Sequence, residues 1–415
     1  MRLKNLLAVI ATAMTIAAPA AAQDKVRIGI ALSQTGNLAD SAAHYFKGVE
    51  LWRDQVNARG GLMGKQVEFV VYDDRSDAAT SARLYERLIT NDNVDVLIST
   101  IGSAQTATAT AVAEKHKRIM INGGGASEAI QQRGFKHIFQ TAARISAYVD
   151  GIDPLMTKHG IKTMAFVARD YAAARDMEKA IKRMAEKNKV QIVMSEYFPS
   201  GNVDFSSQIA RARQMKPDLW VSVGYPNEAI EMVRQFRASN FMPKAFVHNG
   251  VSQEDFLTAT GKDGEASIGM SLYEPSLKTT GNAEFVKAFK DKYNYEPGYY
   301  SSFGYVAVTV LEAAVKKAGS LDQEALRKVL TELKMDTIMG KHEVDPVQED
   351  LTVDRSERYK SRGAGGARID VDLIAVADTV VVLEIGLRIE IKVLQQRGRP
   401  TRVQEVIVRR DGEDD

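Results

Sequence analysis

From Val26 onward, short β-branched runs alternate with longer stretches whose apolar residues recur at helical spacing, and this alternation constrains the fold more than any other feature. The runs cover 26–32, 67–72, 94–99, 118–122, 164–168, 190–196, 219–223 and 245–247; the helical patterns between them cover 43–57, 78–90, 104–115, 144–159, 171–188, 205–215 and 227–239. Runs such as Val94-Asp95-Val96-Leu97-Ile98 are too apolar for a sheet with one wet face. They predict parallel strands covered by helices on both sides, an α/β doubly wound fold. There are too many strands for one open sheet of ordinary size, so two sheets are expected. A length of 415 residues agrees, since it corresponds to two or three domains. From 283 to 333 three helical patterns follow one another, at 283–293, 301–318 and 322–333.

The first 22 residues stand apart. Arg2 and Lys4 precede an apolar run from 6 to 18, and Ala20-Ala21-Ala22 supplies small side chains before Gln23. This is the pattern of a secretory signal, residues 1–22, with cleavage expected after Ala22. The run is too short to span a bilayer. The formal charge of +2 comes from Arg2 and Lys4; without them 53 basic residues meet 53 acidic ones. A neutral chain has no global field to attract nucleic acid or an anionic membrane, and no nucleic-acid partner is expected. The absence of cysteine excludes disulfides and cysteine lipidation, so a soluble, monomeric periplasmic protein is expected.

Ligands of doubly wound sheets bind at the carboxyl ends of strands, where helices begin. Three loops lie there: Ser33-Gln34-Thr35-Gly36-Asn37, Ser99-Thr100-Ile101-Gly102-Ser103, and Asn122-Gly123-Gly124-Gly125-Ala126-Ser127. The last two are rich in glycine and hydroxyls and open helical patterns, which lets N–H groups and a hydroxyl approach a carboxylate. The alternative is that the glycines make tight turns and the serines are N-caps; two such loops at adjacent strand ends favour a site.

Chemistry-bearing motifs are missing. There is no phosphate-binding G-x-x-x-x-G-K-[ST], no G-x-G-x-x-G after a strand, no G-x-S-x-G elbow, no S-x-x-K and no H-E-x-x-H. The six histidines have no metal-ligand spacing, and no calcium loop is present. His248, at a strand end, is placed to touch a ligand. Asp73-Asp74 is read as capping and solvating the loop before the helix at 78 rather than as an acid–base pair. No cofactor, metal or enzymatic activity is expected.

Several segments together resemble the type I periplasmic binding proteins of the branched-chain amino-acid class, which feed ABC importers: Ile28-Gly29-Ile30-Ala31-Leu32-Ser33-Gln34-Thr35-Gly36, Asn57-Ala58-Arg59-Gly60-Gly61-Leu62-Met63-Gly64-Lys65, Tyr72-Asp73-Asp74, the Gly102-Ser103 and Asn122-Gly123 loops, Pro217-Asp218, Gly224-Tyr225, 299–307 and Thr337-Ile338-Met339-Gly340. The resemblance covers about residues 24 to 345. It implies two doubly wound lobes joined by a three-strand hinge, lobe 1 from 24–143 plus 274–338 and lobe 2 from 144–273 plus 339–350, closing on a ligand between them. It implies that Ser103 holds a ligand carboxylate, that the Gly124 backbone and the Ser127 hydroxyl take the carboxylate or amino group, and that Tyr225, Tyr171 and Tyr300 wall the ligand. Mostly hydroxyls, amides and tyrosines are expected in the cleft. The partners implied are a small carboxylate or amino acid and an inner-membrane ABC permease.

Two departures matter. Asn249 stands where amino-acid binders of the class place an acid for the α-ammonium. An amide supplies no charge, which makes an aromatic or aliphatic acid, or an amide, competitive with an apolar amino acid. Ala172-Ala173-Ala174 replaces bulkier residues and predicts a roomier pocket. The second departure is the tail, 351–415. Up to residue 345 there are 25 Lys and 18 Arg, against 2 Lys and 10 Arg from 346 on, where 17 of 70 residues are Val or Ile. Either the reading frame changed near 345 or strands were appended, since 387–393 alternates with period two. Re-reading the coding DNA near codon 345 separates the two. The function expected is capture of a small carboxylate ligand, most simply a branched-chain or other apolar amino acid; the alternatives are a ligand without an ammonium, or a ligand-sensing receptor module.

Overall fold

The computed structural model describes residues 25–265 and 267–343, and in the tail four short strands, Ala375–Val376, Thr379–Val380, Leu387–Ile391 and Val406–Arg410. The signal segment and its cleavage point, residues 344–350 of the expected second lobe, and the rest of the tail lie outside the described residues.

The alternation folds as two parallel sheets. In the first, β1 (Val26–Leu32), α1 (Ala39–Ala58), β2 (Val67–Asp73), α2 (Ala78–Thr90), β3 (Val96–Ile98), α3 (Ser103–Lys115), β4 (Met120–Asn122), α4 (Glu128–Gln131) and β5 (Ile138–Gln140) form a sheet of order β2-β1-β3-β4-β5. In the second, α5 (Ile152–Lys158), β6 (Thr163–Arg169), α6 (Ala172–Lys187), β7 (Gln191–Phe198), α7 (Ser206–Met215), β8 (Leu219–Val223), α8 (Pro226–Ala238), β9 (Ala245–His248), α9 (Glu254–Thr260) and β10 (Ser267–Gly269) form the order β10-β9-β8-β6-β7. The strand order reverses between β1 and β3 in one lobe and between β6 and β8 in the other. Those two switch points are where doubly wound sheets receive ligands.

Along β3, Val96 and Ile98 enter one core while Leu97 enters another on the opposite face. In β8, Val221 and Trp220 divide in the same way. This is why the strands read as unbroken apolar runs. The 144–159 pattern is not one helix: a 3₁₀ stretch, Ile145–Gly151, precedes α5. The restart at Ile152 puts Pro154 in the first helical turn, where a missing N–H costs no helical bond. The three-residue strands β5 and β10 were not expected: unlike β3 and β4, which lie in the apolar runs 94–99 and 118–122, they have no long apolar run around them.

After β10 the chain returns to the first lobe through α10 (Asn282–Tyr293), α11 (Tyr299–Ala318) and α12 (Gln323–Glu332), then forms the hairpin β11 (Lys334–Thr337) and β12 (Gly340–Glu343). Helix α11 lies against α1 at a glycine crossing. A Cβ on Gly48 would fall 1.9 Å from the Ser301 carbonyl oxygen, and one on Gly304 would fall 2.1 Å from that of Tyr45. No larger residue permits that approach, which carries Tyr299 and Tyr300 to the cleft. In the tail, Leu387–Ile391 pairs antiparallel with Val406–Arg410, inside the stretch of period-two alternation. Among the described residues no helix is long and apolar enough to cross a membrane.

Candidate functional site

The site is built from four strand ends. At the end of β3, Gly102 adopts φ +96°, open to glycine and strained for other residues, and turns the chain so that Ser103 is the first residue of α3. At the end of β4, the buried side chain of Asn122 shapes the glycine loop. Its Oδ1 accepts from the Gly125 N–H at 2.8 Å and from the Ser99 hydroxyl at 3.0 Å, and its Nδ2 donates to the Gly125 carbonyl at 2.9 Å. The two loops are bonded together: the Gly102 N–H donates to the Gly124 carbonyl at 3.2 Å. A Cβ on Gly124 would lie 2.0 Å from the Thr100 carbonyl oxygen, so only glycine allows the loops this close. Gly124's own N–H donates to the Ser99 hydroxyl at 3.1 Å.

Ser103 and Ser127 are both buried and adjacent. The Ser127 N–H donates to Ser103 Oγ at 3.2 Å, and the Ser127 hydroxyl donates to Asp176 Oδ2 at 2.8 Å. Ser127 is therefore not a side-chain cap of α4, although it occupies that position. Its hydroxyl crosses to α6 of the second lobe, where the Glu128 N–H also bonds Asp176, at 3.1 Å.

The second lobe supplies an aromatic wall. Tyr171 and Tyr225 precede α6 and α8, with ring centroids 6.2 Å apart and planes at 31°. Tyr300, from the first lobe, is buried beside Tyr299 at 4.3 Å between centroids. Burial pushes the hydroxyls of Tyr171, Tyr225 and Tyr300 above the ordinary tyrosine range, and the hydroxyls of Tyr171 and Tyr225 are further opposed by ionisation of Tyr300. All three stay protonated, as neutral donors.

Beside the hydroxyls, amides and tyrosines that were mostly expected stand three charged residues, Arg169, Glu228 and Asp176. Arg169, at the end of β6, has Nη1 3.1 Å from Glu228 Oε1, and its guanidinium lies 4.9 Å from the centre of the Tyr225 ring. The other carboxylate oxygen of Glu228 accepts from the Tyr225 N–H at 2.6 Å. Burial pushes the Glu228 carboxyl up, while Arg169 and the Tyr225 N–H pull it down. Arg169 also donates to the Ser200 hydroxyl, which accepts from Asn37 Nδ2 of the first lobe at 3.2 Å. Asp176 is the third charge. The spacing Tyr225-Pro226-x-Glu228, a proline and an acid in a first helical turn, was the available signal for Glu228; an arginine closing the apolar β6 run was the signal for Arg169. Nothing local in the sequence marked Asp176, because its partners come from the other lobe.

The structure brings together Ser103, Gly124 and Ser127 in one lobe and Tyr171 and Tyr225 in the other, while the ring contact shown for Tyr300 is with Tyr299. Asn249 holds the frame: its Oδ1 accepts from the Gly224 N–H at 3.0 Å and its Nδ2 donates to the Gly224 carbonyl at 2.8 Å. Other readings need correction. Asp74 is fully buried, accepting from the Ser33 hydroxyl at 2.6 Å, and it is Asp77 that caps α2 through the Thr80 N–H. Ala173 and Ala174 are packed into the core, while Ala172 is exposed. His248 packs on Phe246 and its Nδ1 accepts from the Gly250 N–H at 2.8 Å; burial pushes its imidazole down to about 3, so it is neutral. Among the described residues no group of three or more His, Cys, Asp or Glu is placed to hold a metal ion.

Residues 25–354 match the family model described as periplasmic binding protein. The leucine-, isoleucine-, valine-, threonine-, and alanine-binding protein of Pseudomonas aeruginosa is 26% identical over 343 residues, covering 82% of this chain and 90% of that protein. The leucine-specific-binding protein of Salmonella typhimurium is 25% identical, covering 76% and 86%. Among solved structures, the branched-chain amino acid transporter substrate binding protein of Streptococcus pneumoniae, in complex with isoleucine, superposes with a TM-score of 0.70 at 25% identity over 78% of this chain and 92% of that one. A Rhodopseudomonas palustris solute binding protein in complex with benzoate shares the fold, with a TM-score of 0.71 at 22% identity over 79% and 91%.

Proposed function

The chain belongs to the periplasmic binding protein family, and from that premise we propose that it is the substrate-binding component of an ABC importer, capturing a small carboxylate ligand, most simply an apolar amino acid, between its two lobes. The family consists of binding proteins of transporters rather than enzymes, and its members are periplasmic. One observation carries the ligand class. Ser103 Oγ accepts from the Ser127 N–H, so its own proton remains to be donated, at the first turn of α3, where backbone N–H groups lack helical partners. A carboxylate is the group that such a donor set receives. Gly124 holds the loops at that distance, Tyr171, Tyr225 and Tyr300 enclose the apolar part of the ligand, and Asn249 fixes the Gly224-Tyr225 turn. The protein works as a monomer, exported with its signal removed after Ala22, and presents the closed form to an inner-membrane permease.

A second reading has its own support: with both ends of Asn249 bonded to Gly224, no acid stands at that position for an ammonium, which suits an acid without one. A thermal-shift screen of apolar amino acids, aromatic acids, aliphatic acids and amides tests the proposal. A ligand at a hundred times its dissociation constant stabilises the protein by about 2.7 kcal/mol. If every carboxylate is silent while a sugar or a cation raises the melting point, the proposal fails.

A further inference from the structure

Among the described residues the buried carboxylates are Asp74, Asp176, Glu228 and Glu312. Three are answered inside their own surroundings. Asp74 accepts from the Ser33 hydroxyl and the Ser76 N–H. Glu228 faces Arg169. Glu312 accepts from Trp52 Nε1 and lies 2.6 Å from Lys316 and 3.1 Å from Arg59. Asp176 differs. Among the described residues it pairs with a single cation, Lys179, 3.4 Å away and 68% exposed, where Glu312 has two cations and an indole N–H. Its remaining bonds are to Ser127 and Glu128 across the cleft.

A carboxylate can only accept, so the Ser127 hydroxyl must spend its single proton on Asp176. Ser127 Oγ then has only lone pairs left for anything bound in the cleft. Ser103 Oγ, 3.2 Å from the Ser127 N–H, is the reverse case, with its proton free. The two adjacent hydroxyls are thus of opposite polarity, one a donor suited to a carboxylate and one an acceptor suited to an ammonium, with an anionic group behind the acceptor.

We propose that Asp176 is the residue that selects ligands carrying an ammonium beside their carboxylate, acting through Ser127 as a positioning residue and supplying the negative charge that Asn249 lacks. The inference rests on the carboxylate-binding reading above and names its ligand class: α-amino acids rather than ammonium-free acids. Because Asp176 comes from the second lobe and Ser127 from the first, the acceptor polarity is completed only when the lobes are together, which couples ammonium recognition to closure.

The test is calorimetric titration of two matched pairs, leucine with 4-methylpentanoate and phenylalanine with 3-phenylpropanoate, into the wild type, Asp176→Asn and Asp176→Glu, with thermal melts to establish that each variant folds. In the wild type the amino acid of at least one pair binds more tightly than its ammonium-free partner. In Asp176→Asn the amino acid weakens by about tenfold or more while the ammonium-free acid is unchanged or tighter, and Asp176→Glu keeps part of the preference. Equal weakening of both members in Asp176→Asn overturns the inference and makes Asp176 a plain interlobe contact. A wild type that binds only the ammonium-free acids overturns it and leaves the carboxylate reading standing; a wild type that binds none of the four overturns it too, and the carboxylate reading is then decided by the thermal-shift screen.

Discussion

The guanidinium of Arg169 lies 3.1 Å from the carboxylate of Glu228, with both side chains buried in the second lobe and the ring of Tyr225 over the arginine. Removing one member strands the other in a medium that solvates it poorly. Arg169→Met is expected to destabilise the protein by about 3–5 kcal/mol, whereas Arg169→Met with Glu228→Gln recovers most of that loss. Urea denaturation of the two variants checks this; a single variant no less stable than the double one contradicts it.

Ser103 has a free hydroxyl proton beside the start of α3, and it is the group assigned to the ligand carboxylate. Ser103→Ala removes a hydrogen bond to a charged group, worth about 1.5–3 kcal/mol, so the dissociation constant should rise at least tenfold. It also leaves the Ser127 N–H without its 3.2 Å partner, so a modest drop in melting temperature accompanies the loss. Unchanged affinity removes Ser103 from the site.

Asn249 occupies the place of an acid in the resemblance, yet its amide bonds Gly224 on both sides. Asn249→Asp therefore does not restore an ammonium partner. It replaces the donor to the Gly224 carbonyl with a repelling oxygen, and is expected to cost about 1–3 kcal/mol of stability with no gain in amino-acid affinity. Tighter binding of an amino acid by this variant would contradict the assignment.

Glu274 lies in the segment that leads from β10 back to the first lobe. Burial, with Glu296 nearby, pushes its carboxyl from 4.5 up to about 7. Between those values the folded chain holds a proton that the unfolded chain has released, so this group makes stability fall as pH rises through the window, and the penalty persists above it. Glu274→Gln should melt above the wild type at about pH 8, with the difference shrinking as the pH falls towards about 4.5. Melting curves across that range check the sign; a constant difference refutes it.

Much of the fold was legible because parallel strands covered on both faces must be apolar throughout, and the helices between them must carry one apolar stripe. The pattern at 78–90 and the run at 219–223 coincide with α2 and β8. What the pattern missed was set by the neighbours. The strand Ile138–Gln140 pairs because β4 lies beside it, and the 3₁₀ stretch at Ile145–Gly151 belongs to the passage between lobes.

The site divides in the same way. The loops 99–103 and 122–127 stood out in the sequence because glycine and hydroxyls at a strand end have a local physical meaning, whereas the roles given to Ser103, Gly124, Ser127 and Tyr225 came from the resemblance. Arg169 with Glu228, and Asp176 with Ser127, could not be paired, since 59 and 49 residues separate the partners and a charge shows no periodicity. The sequence alone determined which strand ends carry donors. Only the tertiary structure decided which way each hydroxyl proton is spent, because that depends on which acceptor the facing lobe brings within about 3 Å.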